Sequence, residues 1–315
     1  MIAVAGTFKT EGNLQDQLKK LCPGGVRFNE SLRGWTTFRC RSQAAVLVTP
    51  QTLEETVSVM RSLHSENREW RVIGRGSNIL VRDGGYPGVL LDLSAAFSEI
   101  EILTDDGNAL IVRVGGGIPN GRLLDWLKTK ELKGFGWSFG IPGSVGGGIR
   151  MNAGTPLGSF SDILERVEAI QPDGEMSRFA VTPKDFLYRD FPKGHNLVIT
   201  GGVFRFQKSD LKAVEEEIEK AKGRRKNQPL ELPNIGSVFK NPEGKFAGQL
   251  IEDAGLKGLQ VGDARISERH GNFIVNLGNA STADALRLIG EVEKEIDRKF
   301  GIRLQREVHV MGVDP

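Results

Sequence analysis

Cysteine is scarce in this sequence, and its scarcity excludes two kinds of stabilised fold. The 315 residues contain only Cys22 and Cys40, too few for the disulfide framework of a small secreted domain or for a structural zinc site. The four histidines are scattered, at positions 64, 195, 270 and 309. No two of them have the spacing of metal ligands, so no metal is expected.

An excess of one charge and long apolar runs are also missing. The formal net charge of +2 gives no basic footprint for nucleic acid. No apolar stretch reaches the roughly 20 residues needed to cross a membrane. The first residues, MIAVAGTFKTEG, lack the basic and apolar segments of a secretory signal. These absences predict a cytoplasmic enzyme with reduced thiols, without a nucleic-acid partner and without membrane insertion.

Familiar nucleotide-binding and hydrolase motifs are absent as well. Neither the glycines at 74–76 nor those at 115–117 have the third glycine of a dinucleotide fingerprint, and Gly244-Lys245 has no earlier glycine at P-loop spacing. A GxSxG match at 136–140 is followed by Ile141-Pro142 rather than directly by a helix, so a serine hydrolase is the weakest of the alternatives. A bound phosphate would need another arrangement.

Glycine, in contrast, is abundant, with 40 residues. Three clusters lie between apolar segments, at 74–78 (GRGSN), 115–117 and 140–148 (GIPGSVGGG). A flexible linker would be uniformly hydrophilic, so these are predicted to be turns where the backbone approaches a ligand or takes a positive φ. For the first and third clusters two interpretations stay open: an anion nest formed by exposed N–H groups, and a tight structural turn.

Hydrophobic periodicity predicts a mixed α+β chain. Helices are expected at 11–22, 51–66, 119–132, 210–228, 246–255 and 283–301. Strands are expected near 43–50, 70–74, 79–83, 88–93, 109–117, 164–174, 176–181, 196–207, 272–277 and 306–312. The first helix is expected to lie outside the main core, and the charged helix at 210–228 to begin a last domain.

Three polar residues can carry chemistry, and each has a plainer interpretation. Arg189 can clamp a carboxylate or form a surface pair with its neighbour Asp190. Ser237 can be catalytic or a turn residue. Glu307 alternates onto one face of a strand-like run, where it can reach a site or face solvent. Alone, none of the three decides a function.

Taken in chain order, nine segments resemble one family, UDP-N-acetylenolpyruvoylglucosamine reductase. They are TTFR (36–39), VIGRGSNILV (72–81), GIPGSVGG (140–147), NAG (152–154), YRD (188–190), GSVFKNP (236–242), GQLIEDAGLKG (248–258), HGNFIVN (270–276) and REVHVMG (306–312). Nine blocks in the same order are far more specific than any single motif.

The resemblance implies an α+β flavin fold of the vanillyl-alcohol-oxidase (PCMH) type. Two FAD-binding subdomains would span 1–90 and 91–208, and a C-terminal α/β domain at 209–315 would bind a UDP-sugar. FAD would be bound non-covalently, with NADPH as reductant. The implied reaction is reduction of UDP-N-acetylglucosamine enolpyruvate to UDP-N-acetylmuramate, a step of peptidoglycan precursor synthesis. A monomer is expected.

The resemblance also assigns site residues. Arg189, Ser237 and Glu307 match the family's catalytic positions. Cofactor-binding residues would be Gly74, Arg75, Gly76, Ser77, Asn78, Ile79, Gly140, Ile141, Pro142, Gly143, Ser144, Gly146, Gly147, Asn152, Ala153 and Gly154. Substrate-binding residues would be Tyr188, Arg224, Lys240, Asn241, Gln249 and Lys257.

The sequence departs from the usual pattern of the family at three places. Arg41-Ser42 replace paired glycines, and Thr155 follows NAG where an aromatic residue is frequent. Between Arg189 and Arg224 there is no tyrosine and no room for a long insertion, so this resembles a short form without a tyrosine lid. Two alternatives remain: an FAD oxidoreductase of the same fold with another substrate, and a ligand-binding regulator without turnover. The first would not need Ser237, Glu307 and the KNP segment together, and the second would require a broken catalytic set.

Overall fold

A computed structural model of the protein describes Phe8 and residues 12–315. Glu11, where the sequence places the beginning of the first helix, and most of the segment MIAVAGTFKTEG lie outside the described residues. No helix among the described residues has both the length and the apolar character needed to cross a bilayer.

Six of the helices correspond to the predicted ones. The helices of the described chain are α1 (Gly12–Leu21), α2 (Leu53–Ser65), α3 (Asn120–Thr129), α4 (Val145–Arg150), α5 (Leu211–Arg225), α6 (Ala247–Asp253) and α7 (Thr282–Phe300). Polar side chains begin several of them, because Thr52, Asp210 and Ser281 each accept a hydrogen bond from a first-turn N–H group. The sequence does not predict α4, whose three glycines conceal its helical periodicity.

The strands are short except at the centre of the molecule. In chain order they are β1 (Val26–Ser31), β2 (Gln43–Val48), β3 (Trp70–Val72), β4 (Ile79–Val81), β5 (Tyr86–Leu91), β6 (Ile100–Asp105), β7 (Ala109–Gly115), β8 (Leu132–Lys133), β9 (Gly154–Thr155), β10 (Gly158–Ser159), β11 (Leu164–Ile170), β12 (Met176–Ala180), β13 (Val198–Lys208), β14 (Asn234–Ser237), β15 (Gln260–Val261), β16 (Ala264–Ile266), β17 (Phe273–Asn276) and β18 (His309–Met311). The sequence misses β6 because this edge strand is largely exposed and lacks apolar alternation.

The first sheet has the strand order β1-β2-β5-β3. Strands β2, β5 and β3 run parallel, since α2 forms the crossover that a parallel pair requires. Helix α1 buries Leu14 and Leu18 in the same core as side chains of α2, such as Val59. The prediction that this first helix lies outside the main core is therefore wrong, because its apolar face completes that core.

The second sheet is antiparallel, with the strand order β12-β11-β13-β7-β6. Helix α5 packs near β8 and α3 of this layer: Glu217 accepts hydrogen bonds from the N–H groups of Gly134 and Gly136, and Lys128 pairs with Glu215 at 2.8 Å. The helix expected to begin the last domain therefore packs on the middle one. Its few buried residues, Val214 and Ala221, cover the second layer only in part.

The third sheet, β14-β17-β16-β15, packs with α6 and α7. Its core is continuous with one face of the first sheet, so that Leu47 and Tyr86 belong to the same apolar cluster as Ile274 and Leu288. At the end of the chain β18 runs parallel to β4. This pairing brings the segment just before β18 alongside the first glycine cluster.

Candidate active site

A cavity of about 1790 Å³ lies where the three layers meet. The first and third glycine clusters, the Arg189 turn, the loop after α5 and the residues around Ser237 and Glu307 all line it. A volume of this size exceeds the usual range for one small ligand, about 300–1,000 Å³. The cavity can therefore hold a dinucleotide and a second ligand together.

The first glycine cluster presents its backbone to the cavity. Among the described residues, no acceptor pairs with the N–H groups of residues 75–78. Gly76 has a φ of +56° and packs so closely that a Cβ would overlap the Trp35 carbonyl oxygen. Four successive free N–H groups in a tight turn favour an anion such as a phosphate. Of the two interpretations left open for this cluster, the geometry favours the anion nest.

The third glycine cluster is built differently. The N–H of Val145 donates to the Ile118 carbonyl at 2.9 Å and that of Gly146 to the Gly116 carbonyl at 2.8 Å, while that of Gly147 reaches Ser144 Oγ at 3.4 Å. At Gly146 and Gly147 the geometry favours the tight structural turn over the anion nest, the two interpretations left open for this cluster, because protein acceptors already use these donors. Glycine at 146 lets α4 approach Gly116, since a Cβ would lie 3.1 Å from that carbonyl oxygen.

Fifteen of the sixteen predicted cofactor-binding residues border the cavity; the exception is Asn152. Asn152 instead lies behind the residues that line the cavity. Its Nδ2 donates to the Leu187 carbonyl at 3.2 Å, and its Oδ1 accepts from the Ser161 N–H at 3.1 Å. It thereby supports the turn that carries Arg189.

Arg189 and Glu307 meet at the cavity wall. Arg189 Nε donates to Glu307 Oε1 at 2.9 Å, and its Nη2 donates to the Gly154 carbonyl at 2.8 Å. These bonds fix the guanidinium and leave Nη1 without an acceptor among the described residues. The alternatives of a surface pair for Arg189 and a solvent-facing Glu307 are wrong, because only 20% of the first side chain and 13% of the second are exposed.

The Arg189 turn is itself clamped. Leu187 and Asp190 exchange backbone hydrogen bonds, which closes a tight turn with Arg189 at a φ of +59°, a conformation that only tight local bonding maintains in a non-glycine residue. Asp190 Oδ1 accepts from Arg150 Nη1 at 2.7 Å and lies 2.9 Å from His195 Nε2. Asp190 is thus tied to α4 and to the segment before β13.

Burial is the largest influence on the pKa of Glu307. Burial raises the pKa of this carboxyl above its ordinary value, and this effect outweighs the opposing influence of Arg189 and Lys240. A neutral carboxyl at a cavity wall can donate a hydrogen bond as well as accept one. Its backbone is fixed as well, because Asn78 Nδ2 donates to the Glu307 carbonyl at 3.0 Å.

Ser237 stands at the end of β14, directly after Gly236, which has a φ of +78°. The Gly236 N–H donates to Asn234 Oδ1 at 2.9 Å, and Thr37 Oγ1 donates to the Asn234 carbonyl at 2.8 Å. The Ser237 hydroxyl borders the cavity and has no hydrogen-bond partner in the described chain. It remains available to a ligand.

The predicted substrate-binding residues lie outside the cavity lining. Asn241 caps α6 by accepting from the Ala247 N–H at 3.0 Å. Gln249 bonds Asp253 at 2.8 Å, and Lys257 pairs with Glu252 at 3.1 Å. Lys240 Nζ lies 3.5 Å from the Tyr188 carbonyl. Of these residues, Lys240 is near enough to Glu307 to lower its pKa.

Arg225, rather than its predicted neighbour Arg224, borders the cavity. Arg224 is exposed at the end of α5. Arg225 Nη1 donates to Gln228 Oε1 at 2.9 Å and to the Gly140 carbonyl at 3.2 Å. Burial, together with the nearby Arg189, lowers the pKa of its guanidinium to about 10. A cation held this close to another cation favours an anionic ligand between or beside them.

Sequence reasoning also missed further lining residues, among them Asn120, Arg150, His195 and His309. The sequence does contain a signal for His309, because strand alternation places it on the same side as Glu307. In the structure its Nε2 lies 3.1 Å from Met151 Sδ. The two departures at Arg41 and Ser42 do not reach the cavity; the Arg41 Nη1 is 3.4 Å from the Asn279 carbonyl and the Ser42 Oγ 3.4 Å from that of Val81. No cluster of three His, Cys, Asp or Glu side chains suited to a metal occurs in the described part of the chain.

Two models of known protein domains match this chain. The model of an FAD binding domain matches residues 44–180, and the model of the C-terminal domain of UDP-N-acetylenolpyruvoylglucosamine reductase matches residues 228–311. The first match and the structural similarity described next confirm the expected α+β flavin fold.

Proteins that match nearly the whole chain have the same reductase name as the matched C-terminal domain. The UDP-N-acetylenolpyruvoylglucosamine reductase of Halalkalibacterium halodurans is 38% identical over 95% of this chain and 98% of its own length. That of Bacillus subtilis is 39% identical over 94% of this chain and 97% of its own. The crystal structure of UDP-N-acetylenolpyruvylglucosamine reductase from Thermus caldophilus is 34% identical, with a TM-score of 0.75 over 90% of this chain and 97% of that one.

Proposed function

The chain belongs to the UDP-N-acetylenolpyruvoylglucosamine reductase family, and on that premise we propose that it reduces UDP-N-acetylglucosamine enolpyruvate to UDP-N-acetylmuramate, with NADPH as reductant and FAD as cofactor. The observation that carries the proposal is the Arg189–Glu307 pair, which lies in the same cavity as the unpaired N–H groups of residues 75–78. One feature binds a carboxylate and the other a diphosphate.

The residues present fit FAD. Free N–H groups in the first glycine cluster suit a diphosphate, and the glycines leave room for it against the backbone. Bound FAD would take a hydride from NADPH and deliver it to the methylene carbon of the enolpyruvyl group. The residues at 74–79 and 140–147 would hold it without a covalent bond.

Hydride addition leaves negative charge on the adjacent substrate carbon, delocalised into the carboxylate. Arg189 has its Nη1 free to bind that carboxylate, while its other nitrogens keep the guanidinium in place. A neutral Glu307 would donate a hydrogen bond to the same charge. The two groups would therefore stabilise the charge that develops during the reaction more than they stabilise the substrate.

The carbanion then needs a proton, and we assign this to the Ser237 hydroxyl. Its freedom from protein acceptors and its place in the cavity lining support that role. Lys240 supplies a positive charge near Glu307. The proton would pass from Ser237 Oγ to the carbon that bears the negative charge.

For the diphosphate of the UDP-sugar we propose Arg225, because it lines the cavity with its guanidinium half-buried. Of the substrate-binding residues implied by the resemblance, Tyr188 and Lys240 lie next to Arg189 or its turn. Their binding of the UDP-sugar stays a prediction. Arg224, Asn241, Gln249 and Lys257 lie outside the cavity lining, so the geometry does not favour them for this ligand.

We further propose a monomer that works in the cytoplasm; the free thiols of Cys22 and Cys40 support the location. The division into FAD-binding subdomains near 90/91 also stays a proposal. For the beginning of the UDP-sugar domain we propose the end of α5 rather than 209, because α5 packs on the second sheet.

NADPH oxidation, measured with and without UDP-N-acetylglucosamine enolpyruvate, tests the function. The purified protein should be yellow with a flavin absorbance spectrum, and NADPH should be consumed in proportion to the enolpyruvyl substrate. Flavin reduction without stimulation by this substrate would favour an FAD oxidoreductase of the same fold with another substrate. Binding of both ligands without turnover would favour a regulator.

A further inference from the structure

Asn120 is a buried polar residue that the protein itself does not satisfy. It is the first residue of α3, borders the cavity, and is 2% exposed. Its Oδ1 has no hydrogen-bond partner, and no described residue accepts from its Nδ2. Buried carboxamides in proteins are almost always hydrogen-bonded, so an unpartnered one at a cavity wall points to a missing ligand.

The side chain has no structural task that would explain its burial. Pro119, not Asn120, occupies the N-cap position of α3. The Asn120 backbone N–H donates to the Gly143 carbonyl at 3.0 Å, a bond that any residue except proline could make. A buried carboxamide without partners destabilises the fold, because its hydrogen bonds to water are lost and not replaced. An apolar residue of the same size would therefore stabilise the ligand-free fold.

The surroundings of Asn120 form an open cradle. A Cβ placed on Gly143 would lie 3.4 Å from Asn120 Nδ2 and 3.4 Å from Ser77 Oγ, so the carboxamide, the hydroxyl and the bare backbone surround one point. Gly143 has a φ of +133°, which keeps a side chain out of that point. The next two N–H groups of α3, those of Gly121 and Arg122, also have no acceptor among the described residues.

We propose that Asn120 is an FAD-binding residue, whose Nδ2 donates a hydrogen bond to the diphosphate from the first turn of α3, opposite the loop at 74–78. The inference rests on the proposed use of FAD and adds a contact from outside both glycine clusters. Arg122, two residues after Asn120 in α3, lines the cavity and has no ion-pair partner in the described chain. The diphosphate would then lie between a loop nest and a helix start, both of which favour negative charge.

The test compares two side chains that the fold leaves unsatisfied. Asn120→Leu keeps the size and removes the amide. Ser62→Ala is the matched control, because the Ser62 hydroxyl is also buried without a partner but lies in α2 and does not border the cavity. The full chain is loaded with FAD, and release of FAD on dilution is followed through recovery of flavin fluorescence.

The expected result is an increase in the Kd for FAD of about 10- to 100-fold in Asn120→Leu and no change in Ser62→Ala. Thermal unfolding is measured over a series of FAD concentrations. At low FAD, Asn120→Leu should melt no lower than the wild type, and at high FAD it should melt lower, because ligand binding stabilises the wild type more. Asn120→Asp, nearly the same shape, should bind FAD more weakly still, because its carboxylate repels the diphosphate.

An unchanged Kd in Asn120→Leu would overturn the inference. So would an equal loss of thermal stability at every FAD concentration, because that pattern belongs to a structural residue. If Asn120→Leu does not fold, Asn120→Asp decides, and wild-type FAD affinity in that variant counts against the proposal. A wild-type protein that binds no FAD would instead defeat the proposed function, which separates the two failures.

Discussion

Arg189 Nε donates to Glu307 Oε1 at 2.9 Å across a sequence separation of 118 residues. The arginine lies in a tight turn between strands β12 and β13 of the second sheet. The glutamate lies just before β18, and β18 pairs with β4, the strand that follows the first glycine cluster. The pair therefore forms only when the end of the chain returns to the first layer. This return also brings the Glu307 carbonyl to Asn78 of the first glycine cluster.

Ser237→Ala should separate the two half-reactions. Reduction of the flavin by NADPH does not need the hydroxyl, whereas protonation of the substrate carbanion does. A positioned proton donor contributes about 10²–10⁴-fold, so reoxidation by the enolpyruvyl substrate should slow by that factor. Stopped-flow absorbance would record normal bleaching by NADPH and little return of colour. Ser237→Cys is the control that retains a donor; equal slowing of both steps in Ser237→Ala would make Ser237 structural.

The kcat of the wild type should fall as the pH rises and Glu307 loses its proton. Burial raises the pKa of Glu307, so its neutral form persists above the ordinary carboxyl range and is lost as the pH passes the raised value. Glu307→Gln stays neutral at every pH and should remove this limb from the kcat profile. The sign for stability is the same: the wild type should lose free energy of unfolding relative to Glu307→Gln as the pH rises through that pKa. A pH profile shared by both proteins would exclude Glu307 as the titrating group.

Arg225→Met and Arg224→Met form a matched pair of neighbours. Arg225 lines the cavity and Arg224 does not, so only the first change should weaken binding of the UDP-sugar. Loss of a charge-assisted hydrogen bond costs about 1.5–3 kcal/mol, which is roughly 10- to 150-fold in the Kd measured by calorimetry. Equal effects of the two substitutions would indicate a general electrostatic attraction instead of a contact.

Asp190→Asn should lower kcat while leaving the flavin content unchanged. Asp190 positions the Arg189 turn through Arg150 and His195. Burial alone would raise the pKa of Asp190, but bonds from His195 and Arg150 lower it below its ordinary value. The stabilisation by these bonds is therefore present above the ordinary carboxyl pKa and is lost only as the pH falls through the lowered one.

The control for Asp190→Asn is Asp185→Asn, which removes a carboxylate that pairs with Lys193 at 2.5 Å outside the cavity lining. A decrease in kcat of about tenfold is expected for Asp190→Asn alone, because misplacing a charged group by a small distance has effects of this order or larger. Similar kcat values in the two variants would show that the turn holds without Asp190.

Gly76→Ala should abolish FAD binding or reduce it strongly. A Cβ at this position overlaps the Trp35 carbonyl, and its φ of +56° disfavours other residues. Gly121→Ala is the control, because a Cβ there meets nothing within 4 Å, and alanine in a helix should stabilise by about 1 kcal/mol at most. Thermal unfolding and flavin content measure both effects. Full flavin content in Gly76→Ala would show that the loop adapts.

Local sequence determined most of the secondary structure and the identity of the two glycine loops. Apolar periodicity predicts α2, α3, α5 and α7, because a helix that covers a sheet must repeat its apolar residues at helical spacing. The order of nine short blocks identified the family and, with it, predicted Arg189, Ser237 and Glu307 as catalytic residues. The close packing of the first cluster follows from its glycines, since any side chain at position 76 would overlap the Trp35 carbonyl oxygen.

Tertiary structure alone decided which side chains face the cavity. Sequence assigned Arg224 to the substrate and left open whether the N–H groups of the third glycine cluster bind an anion. Packing instead brings Arg225 to the cavity and satisfies the N–H groups of Gly146 and Gly147 from Gly116 and Ser144. Adjacent arginines on an exposed helix end are equivalent until a neighbour removes one of them from water. A backbone donor likewise has no fixed role until the fold brings an acceptor to it. Both choices depend on contacts between segments far apart in the chain, and no local pattern contains them.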